Sequence, residues 1–147
     1  MIAVIPFQDK YRDDMLYCQL SAREAIGRGP RINEDLFDIQ GNYLAKGDMF
    51  WLAVDENERV VGMLGVHVAS PADIWLKRLY VTPSQKRKGI GSMLLAQAEA
   101  FAASKEILII HTSFADEYKE AAEFYPAKGF AAFENREGLN HLVKTLC

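Results

Sequence analysis

The chain has 147 residues, of which 50% are hydrophobic, 11% aromatic and 25% charged. This is the composition of a globular domain and excludes a disordered or fibrous protein. Its 17 basic and 20 acidic residues give a net charge of -3, which provides no general attraction for nucleic acid or anionic membrane.

The chain is expected to form a single domain over residues 1–147, because short connections join the predicted elements and no repeat interrupts them. Its two cysteines, Cys18 and Cys147, are too few for a disulfide framework or a metal cage by themselves. The first apolar run ends after seven residues, and no run approaches the roughly 18 apolar residues of a spanning helix. We therefore expect a cytoplasmic protein with no membrane partner.

The first half of the chain predicts a strand, two helices and a three-stranded antiparallel meander. Residues 2–6 are typical of a short strand, and apolar residues recur at helical spacing between residues 9 and 26. A second helix is predicted from Asn33 to Gly41. Three apolar runs joined by short turns predict strands at residues 49–54, 59–69 and 73–81.

The second half of the chain alternates between helices and strands. A helix begins at Gly89, and the almost wholly apolar run 106–111 is typical of a strand covered on both faces. A further helix over residues 116–128 precedes two last strands at 130–134 and 139–146. The order βααβββαβαββ indicates an α/β protein with a mixed, largely antiparallel twisted sheet flanked by helices.

The most informative segment is the loop that joins the meander to the following helix. Residues 74–98 carry five basic side chains and no acidic one, so this segment is +5 and the rest of the chain is -8. Three of the cations, residues 86–88, directly precede Gly89 and Gly91. Glycines let a ligand approach the backbone, and the first N–H groups of a helix lack helical partners and lie at its positive end. This combination predicts a pyrophosphate site, with a charged surface loop as the structural alternative.

Other ligand classes are less well supported by the sequence. The P-loop pattern G-x-x-x-x-G-K-S/T is absent, and the dinucleotide pattern G-x-G-x-x-G fails at its third glycine, which is Leu94. His67 and His141 have no partner close in sequence, so no metal site is predicted. The basic residues 86–88 are the one feature that favours nucleic acid, against the net negative charge and the lack of a nucleic-acid motif.

Two stretches resemble motifs of the GNAT superfamily of N-acetyltransferases. RLYVTPSQKRKGIGSMLL is similar to the acetyl-CoA-binding motif (Q/R)-x-x-G-x-(G/A), with Lys86 at its first position. AAEFYPAKGF is similar to the family's A-x-x-F-Y-x-x-x-G-F ending, and Tyr118 stands three residues before it, where Asn is often found. The resemblance covers most of the chain from Met49 onward. It implies the family's fold, in which the fourth and fifth strands splay apart.

The resemblance also implies acetyl-CoA as co-substrate. The backbone N–H groups from Arg87 to Ser92 would bind the pyrophosphate, and the main chain up to Val81 would pair with the pantetheine arm. An amide near Val81 would donate to the thioester carbonyl, and residues 77–81 and 109–113 would line the gap between the splayed strands. The implied coenzyme contacts are Leu79, Tyr80, Val81, Lys86, Arg87, Lys88, Gly89, Ile90, Gly91, Ser92, Tyr118 and Tyr125.

The implied reaction is direct attack of a primary amine on the thioester, and Tyr125 and His111 are the candidates for catalysis. Tyr125 would protonate the departing thiolate, since a phenol of pKa about 10 stays protonated at pH 7; packing in the core is its structural alternative. His111 ends the predicted strand 106–111 and has a suitable ordinary pKa for a base. Asp116 or Glu117 acting through water are alternatives, and an acceptor that arrives partly deprotonated would need no dedicated base. Some family members place a glutamate at the position of Trp75.

No motif specifies the acceptor. The charge of -8 outside the basic segment favours a cationic amine, and contacts to it are expected from residues 22–44, notably Arg28, Arg31 and Tyr43. An acetyl-CoA-binding module without turnover is the alternative function. Dimers are common in the family that the chain resembles, so a homodimer is one expectation for its assembly.

Overall fold

The computed structural model describes residues 1–85 and 88–146, so Lys86, Arg87 and Cys147 lie outside the described residues. The strands are β1 (Ala3–Pro6), β2 (Met49–Val54), β3 (Val60–Ser70), β4 (Asp73–Val81), β5 (Ile109–Ala115), β6 (Ala131–Arg136) and β7 (Leu139–Thr145). The helices are α1 (Arg12–Ala25), α2 (Ile39–Asn42), α3 (Ile90–Ser104) and α4 (Lys119–Ala127). Short 3-10 turns lie at Asp9–Tyr11, Glu34–Phe37, Leu44–Lys46 and Pro83–Gln85.

The strands form one seven-stranded sheet in the order β1-β2-β3-β4-β5-β7-β6. Neighbouring strands are antiparallel except for β4 and β5, which are parallel because α3 carries the chain from one to the other across the sheet. The predicted order of elements and the mixed, largely antiparallel sheet are confirmed.

The predicted second helix is interrupted. A 3-10 turn, Glu34–Phe37, comes first, and the separate helix α2 starts after it. The carboxylate of Asp38 caps α2 by accepting a hydrogen bond from the Gly41 N–H at 2.9 Å. Asp38 itself has φ -142° and ψ 79°, which is not a helical conformation. The apolar spacing alone did not reveal this break.

The fifth strand begins later than predicted and is buried on one face only. Glu106 has φ 59°, a left-handed conformation that ends the turn after α3, and β5 then starts at Ile109. Ile110 and Thr112 are buried, whereas on the other face Ile109 and His111 are only partly buried and Ser113 is exposed. The run 106–111 is therefore apolar without being covered on both faces.

Two hydrophobic cores lie on opposite faces of the sheet. The first core packs α3 and α4 on the sheet and includes Ile74, Leu94, Ile110, Tyr125 and Leu142. The second packs α1 and α2 on the sheet and includes Met15, Leu36, Phe50, Leu52 and Met63. The second core draws no residue from β5, β6 or β7, so the α1 side of these strands lies outside it. None of the helices in the described residues combines the length and apolar character needed to cross a membrane.

Candidate active site

A gap between β4 and β5 opens the candidate site. The two strands pair over only three residues each, and the last pair is Trp75 with His111. β4 continues to Val81 and β5 to Ala115 without further pairing to each other. The gap therefore begins beyond His111, and Ile109–His111, predicted to line it, are instead paired with β4.

A bulge in β4 accompanies the separation. Arg78 and Leu79 together oppose one residue of β3, and Arg78 has φ 59°. A bulge bends its strand and increases its twist, which turns β4 away from β5. The Arg78 guanidinium is fixed by Asp35, with Nη2 at 2.9 Å and Nε at 3.1 Å from the two carboxylate oxygens.

A cavity of about 770 Å³ lies at this gap. Its walls come from the end of β4, the first turn of α3 and the face of α4, which are the elements that the sequence predicted to hold the coenzyme. Among the predicted contacts, the cavity is lined by Leu79, Tyr80, Val81, Gly89, Ile90, Gly91, Ser92, Tyr118 and Tyr125. Lys88 is exposed and does not line it, while Lys86 and Arg87 lie outside the described residues.

The first turn of α3 presents backbone donors to the cavity. Gly89 is the N-cap, with φ 79°, a left-handed conformation that favours glycine. The first helical hydrogen bond runs from the Met93 N–H to the Gly89 carbonyl, at 3.0 Å. The N–H groups of Ile90, Gly91 and Ser92 precede that bond and have no acceptor within the helix. Three such donors at the positive end of a 15-residue helix fit the chemistry of a phosphate group.

Tyr125 forms the inner wall of the cavity. Its ring packs against Phe114, Phe124 and Phe130, with ring centroids 5.2 to 5.8 Å apart, and the residue is 5% exposed. Burial raises the pKa of Tyr125 to about 12, against a smaller lowering by its hydrogen bond with Thr112. The phenol therefore stays protonated throughout the neutral and mildly alkaline range. Core packing and contact with the cavity occur together at this residue.

Arg28 joins two sides of the cavity mouth. Its Nη1 donates to the Tyr118 hydroxyl at 2.8 Å and to the Glu117 carboxylate at 3.2 Å. The guanidinium also lies 5.2 Å from the centre of the Tyr118 ring. The pKa of Tyr118 is raised, chiefly by burial. Arg28 thus connects the segment after α1 to the segment that precedes α4.

Two other residues expected to contact an acceptor differ from Arg28. Tyr43 is only 4% exposed and donates to Asp35 at 2.5 Å, so it supports the bulge from the second core and is not available to an acceptor. Burial raises the pKa of Tyr43. Arg31 is exposed and does not line the cavity.

The side chains considered for the base fall in three different settings. Glu117 lines the cavity but is bonded to Arg28. Asp116 accepts hydrogen bonds from Asn140 at 2.7 Å and Asn135 at 3.0 Å, which ties it to the β6–β7 hairpin. His111 does not line the cavity, because it points to the opposite face of the sheet from its buried neighbours Ile110 and Thr112.

The structure brings His111 together with two residues that sequence reasoning did not connect to it. Its Nε2 lies 2.9 Å from Asp73 on β4, and its Nδ1 lies 2.9 Å from Nε2 of His141 on β7. These partners are 38 and 30 residues away in the chain, so no local spacing could have signalled them. Trp75, at the position where some family members place a glutamate, stacks on both histidine rings. The described residues contain no cluster of three or more side chains arranged to hold a metal ion.

The chain resembles a family model in sequence and solved structures in fold. The family model for the acetyltransferase (GNAT) domain matches residues 46–132. No curated protein matches the chain. A GNAT-family acetyltransferase structure from Staphylococcus aureus is 23% identical, covers 100% of both chains and has a TM-score of 0.87. An acetyltransferase structure from Streptococcus agalactiae is 19% identical over 99% of this chain and 98% of its own, with a TM-score of 0.88.

A third solved structure contains a ligand. The PaiA N-acetyltransferase from Thermoplasma acidophilum, in complex with coenzyme A, is 18% identical, covers 99% of both chains and has a TM-score of 0.84. At these identities the likeness concerns the fold, including the order of strands around the gap.

Proposed function

Because the chain belongs to the GNAT acetyltransferase family, we propose that it transfers the acetyl group of acetyl-CoA to a primary amine by direct attack of the amine nitrogen. One observation carries this proposal: three backbone donors at the start of α3 and the protonated Tyr125 line the same cavity of about 770 Å³. The first feature suits an anionic coenzyme, and the second suits a reaction that releases a thiolate.

The residues around the cavity fit acetyl-CoA as co-substrate. The N–H groups of Ile90, Gly91 and Ser92 hold the pyrophosphate, and the backbone of Leu79–Val81 pairs with the pantetheine arm. A Cβ added at Gly91 would lie 3.4 Å from the Phe124 ring, and both residues line the cavity, so glycine leaves more room in the cavity at this point. In the sequence, three basic residues, 86–88, directly precede Gly89, and this positive charge favours an anionic ligand.

Tyr125 acts on the leaving group. Bound acetyl-CoA supplies a thioester, and the Tyr125 hydroxyl donates a hydrogen bond to its sulfur as negative charge develops there. The phenol has a pKa of about 12, whereas that of an alkyl thiol is about 8.5. Stabilisation by a hydrogen bond therefore dominates over complete proton transfer. A backbone amide near Val81 donates to the carbonyl oxygen.

The amine must lose a proton before or during its attack. A lysine-like amine with pKa about 10.4 is neutral only about once in 2,500 molecules at pH 7. We assign removal of this proton to His111 and the groups bonded to it. The charge of -8 outside residues 74–98 favours a cationic acceptor, which still carries its proton as it approaches.

Thiol release tests the proposed function. The protein is mixed with acetyl-CoA and, in separate reactions, spermidine, benzylamine and a lysine-containing peptide, and free thiol is detected. We expect amine-dependent release with at least one acceptor, together with the N-acetylated product by mass spectrometry. Coenzyme binding without release for any amine would instead identify a binding module. Salt-sensitive DNA binding that acetyl-CoA does not displace would favour a nucleic-acid contact by residues 86–88.

A further inference from the structure

Three side chains from three strands form a hydrogen-bonded chain on the open face of the sheet. Asp73 of β4 lies 2.9 Å from Nε2 of His111 on β5, and Nδ1 of His111 lies 2.9 Å from Nε2 of His141 on β7. The side chains of His111 and Asp73 are 16% and 26% exposed, so the middle of the chain is shielded. No other described residue bonds to His141, which leaves its Nδ1 at the end of the chain.

The order of donors and acceptors follows from Asp73. Its pKa is lowered, first by the hydrogen bond from Ser70 and then by that from His111, so Asp73 is a carboxylate and can only accept. Nε2 of His111 therefore carries the hydrogen, and in the neutral form of His111 its Nδ1 is an acceptor. Nε2 of His141 must then donate to it, which leaves Nδ1 of His141 with a lone pair. The hydrogen-bonded chain of Asp73, His111 and His141 therefore presents one basic atom, Nδ1 of His141.

The sheet register places His141 on the side of the gap. His111 belongs to the last pair between β4 and β5, whereas His141 is paired with Ser113, two residues farther along β5. Ser113 lies in the part of β5 that no longer pairs with β4. None of these side chains lines the cavity, so His141 lies beside the gap on the opposite face of the sheet, from which an acceptor would reach the thioester.

Aromatic rings hold both imidazoles in position. Trp75 stacks on His111 and His141 with centroid distances of 4.6 and 4.8 Å. Phe133 of β6 lies 4.7 Å from His141 on the same face. Rings fixed in this way keep the hydrogen bonds aligned while the end of the chain stays partly open to solvent.

The surroundings keep His141 neutral at pH 7. Its pKa is lowered, first by burial and then by the neighbouring His111, against a smaller raising effect of Glu134 on β6. A neutral imidazole is the form that can accept a proton. After it does so, His141 donates through Nε2 to His111, which is in turn held by the Asp73 carboxylate.

We propose that His141 is the base of the acetyl transfer, with His111 and Asp73 as positioning residues. An N–H bond of the acceptor ammonium breaks, its proton bonds to Nδ1 of His141, and the electron pair stays on the nitrogen that attacks the carbonyl. When the C–S bond breaks, a second proton of that nitrogen passes to the departing thiolate, which gives the amide and the free thiol. The proton on His141 then leaves to solvent from the partly exposed ring. This inference rests on the proposed function, but its tautomers are testable without any acceptor.

Long-range 1H–15N NMR of the histidine side chains directly tests the hydrogen positions of His111 and His141 in the wild-type protein. We expect the neutral forms of both His111 and His141 to carry hydrogen on Nε2. In Asp73→Asn, an amide hydrogen facing His111 Nε2 reverses the chain and moves both hydrogens to Nδ1. A neutral His141 with hydrogen on Nδ1 in the wild-type protein would overturn the proposal.

Kinetics test the role of the base. For the amine of the panel that turns over fastest, His141→Gln should lower kcat/KM at pH 7 by about 10²-fold or more. The kcat/KM of this variant should rise about tenfold per pH unit from pH 6 to 8, because it follows the neutral fraction of the amine. The kcat/KM of the wild-type protein should be nearly constant over the same range. His67→Gln is the matched control, since His67 lies 2.9 Å from Asp48 elsewhere on the sheet.

The outcomes separate the two proposals. Wild-type rate and pH profile in His141→Gln would refute the base assignment while leaving the acetyltransferase intact. Absence of thiol release by the wild-type protein with every amine would refute the proposed function itself, whatever the histidine tautomers.

Discussion

Replacement of Tyr125 by Phe removes the proposed hydrogen bond to the leaving sulfur and the hydrogen bond with Thr112, while keeping the aromatic ring. The rise in the pKa of Tyr125 from 10.0 to about 12 disfavours its phenolate by about 3 kcal/mol. Against a thiol of pKa about 8.5, complete proton transfer is uphill by about 5 kcal/mol, so the hydroxyl acts as a donor. A hydrogen bond to a charged group contributes about 1.5–3 kcal/mol, so acetyl transfer should slow by about 10- to 150-fold.

Single-turnover thiol release, with coenzyme affinity measured by calorimetry, provides the assay. The ratio of wild-type to Tyr125→Phe rates should stay constant from pH 6 to 9, because Tyr125 does not titrate there. Affinity for acetyl-CoA should be unchanged, and the loss of the bond with Thr112 should lower stability by about 1 kcal/mol. Tyr17→Phe, at a 61% exposed tyrosine of α1, is the control. An unchanged rate, or a ratio that varies with pH, would refute the role of Tyr125.

Three further predictions concern the supporting structure. Gly89→Ala should lower the free energy of unfolding in urea by about 1–2 kcal/mol. A Cβ at Gly89 meets no atom within 4 Å, so the cost comes from the φ of 79° alone. Gly29→Ala is the control, because Gly29 is equally open but has no positive φ, and this substitution should leave stability unchanged. Burial alone would raise the pKa of Asp35, but hydrogen bonds from Arg78 and Tyr43 lower it overall. The stabilisation by the Asp35 carboxylate is therefore present above its unfolded pKa near 3.8 and is lost as the pH falls through its lower folded pKa. Asp35→Asn should thus lower the stability of the protein at pH 7, and its stability should approach that of the wild type below about pH 4. Arg28→Gln should change the relative rates of the amine panel severalfold at constant acetyl-CoA affinity, and weaker coenzyme binding with unchanged acceptor ranking would contradict its place at the mouth.

The part of the cavity formed by the start of α3 could be predicted from the sequence because its features are local. Gly89, Gly91 and the helix that follows them are neighbours in the chain, and a helix start has the same free donors wherever it occurs. The element order could be predicted for the same reason, since strands and helices follow from periodicity within short windows.

The contacts of His111 and Tyr43 join distant parts of the chain and could not be predicted in the same way. Asp73 and His141 join His111 only because β4, β5 and β7 are neighbours in the sheet. The burial of Tyr43 beneath Asp35 depends likewise on how the segment after α1 packs on β4. Sequence spacing contains no record of such pairings, whereas the register of the sheet makes them explicit.

NMR titration of the backbone amides with coenzyme A tests the pyrophosphate site most directly. We expect the largest 1H–15N shifts at Ile90, Gly91 and Ser92, and no comparable shift at Phe133, which lies on the other face of the sheet. S-acetylpantetheine, which has no pyrophosphate, should leave these three amides nearly unshifted. Binding of coenzyme A with its largest shifts away from the start of α3 would contradict the site on which the proposed function rests.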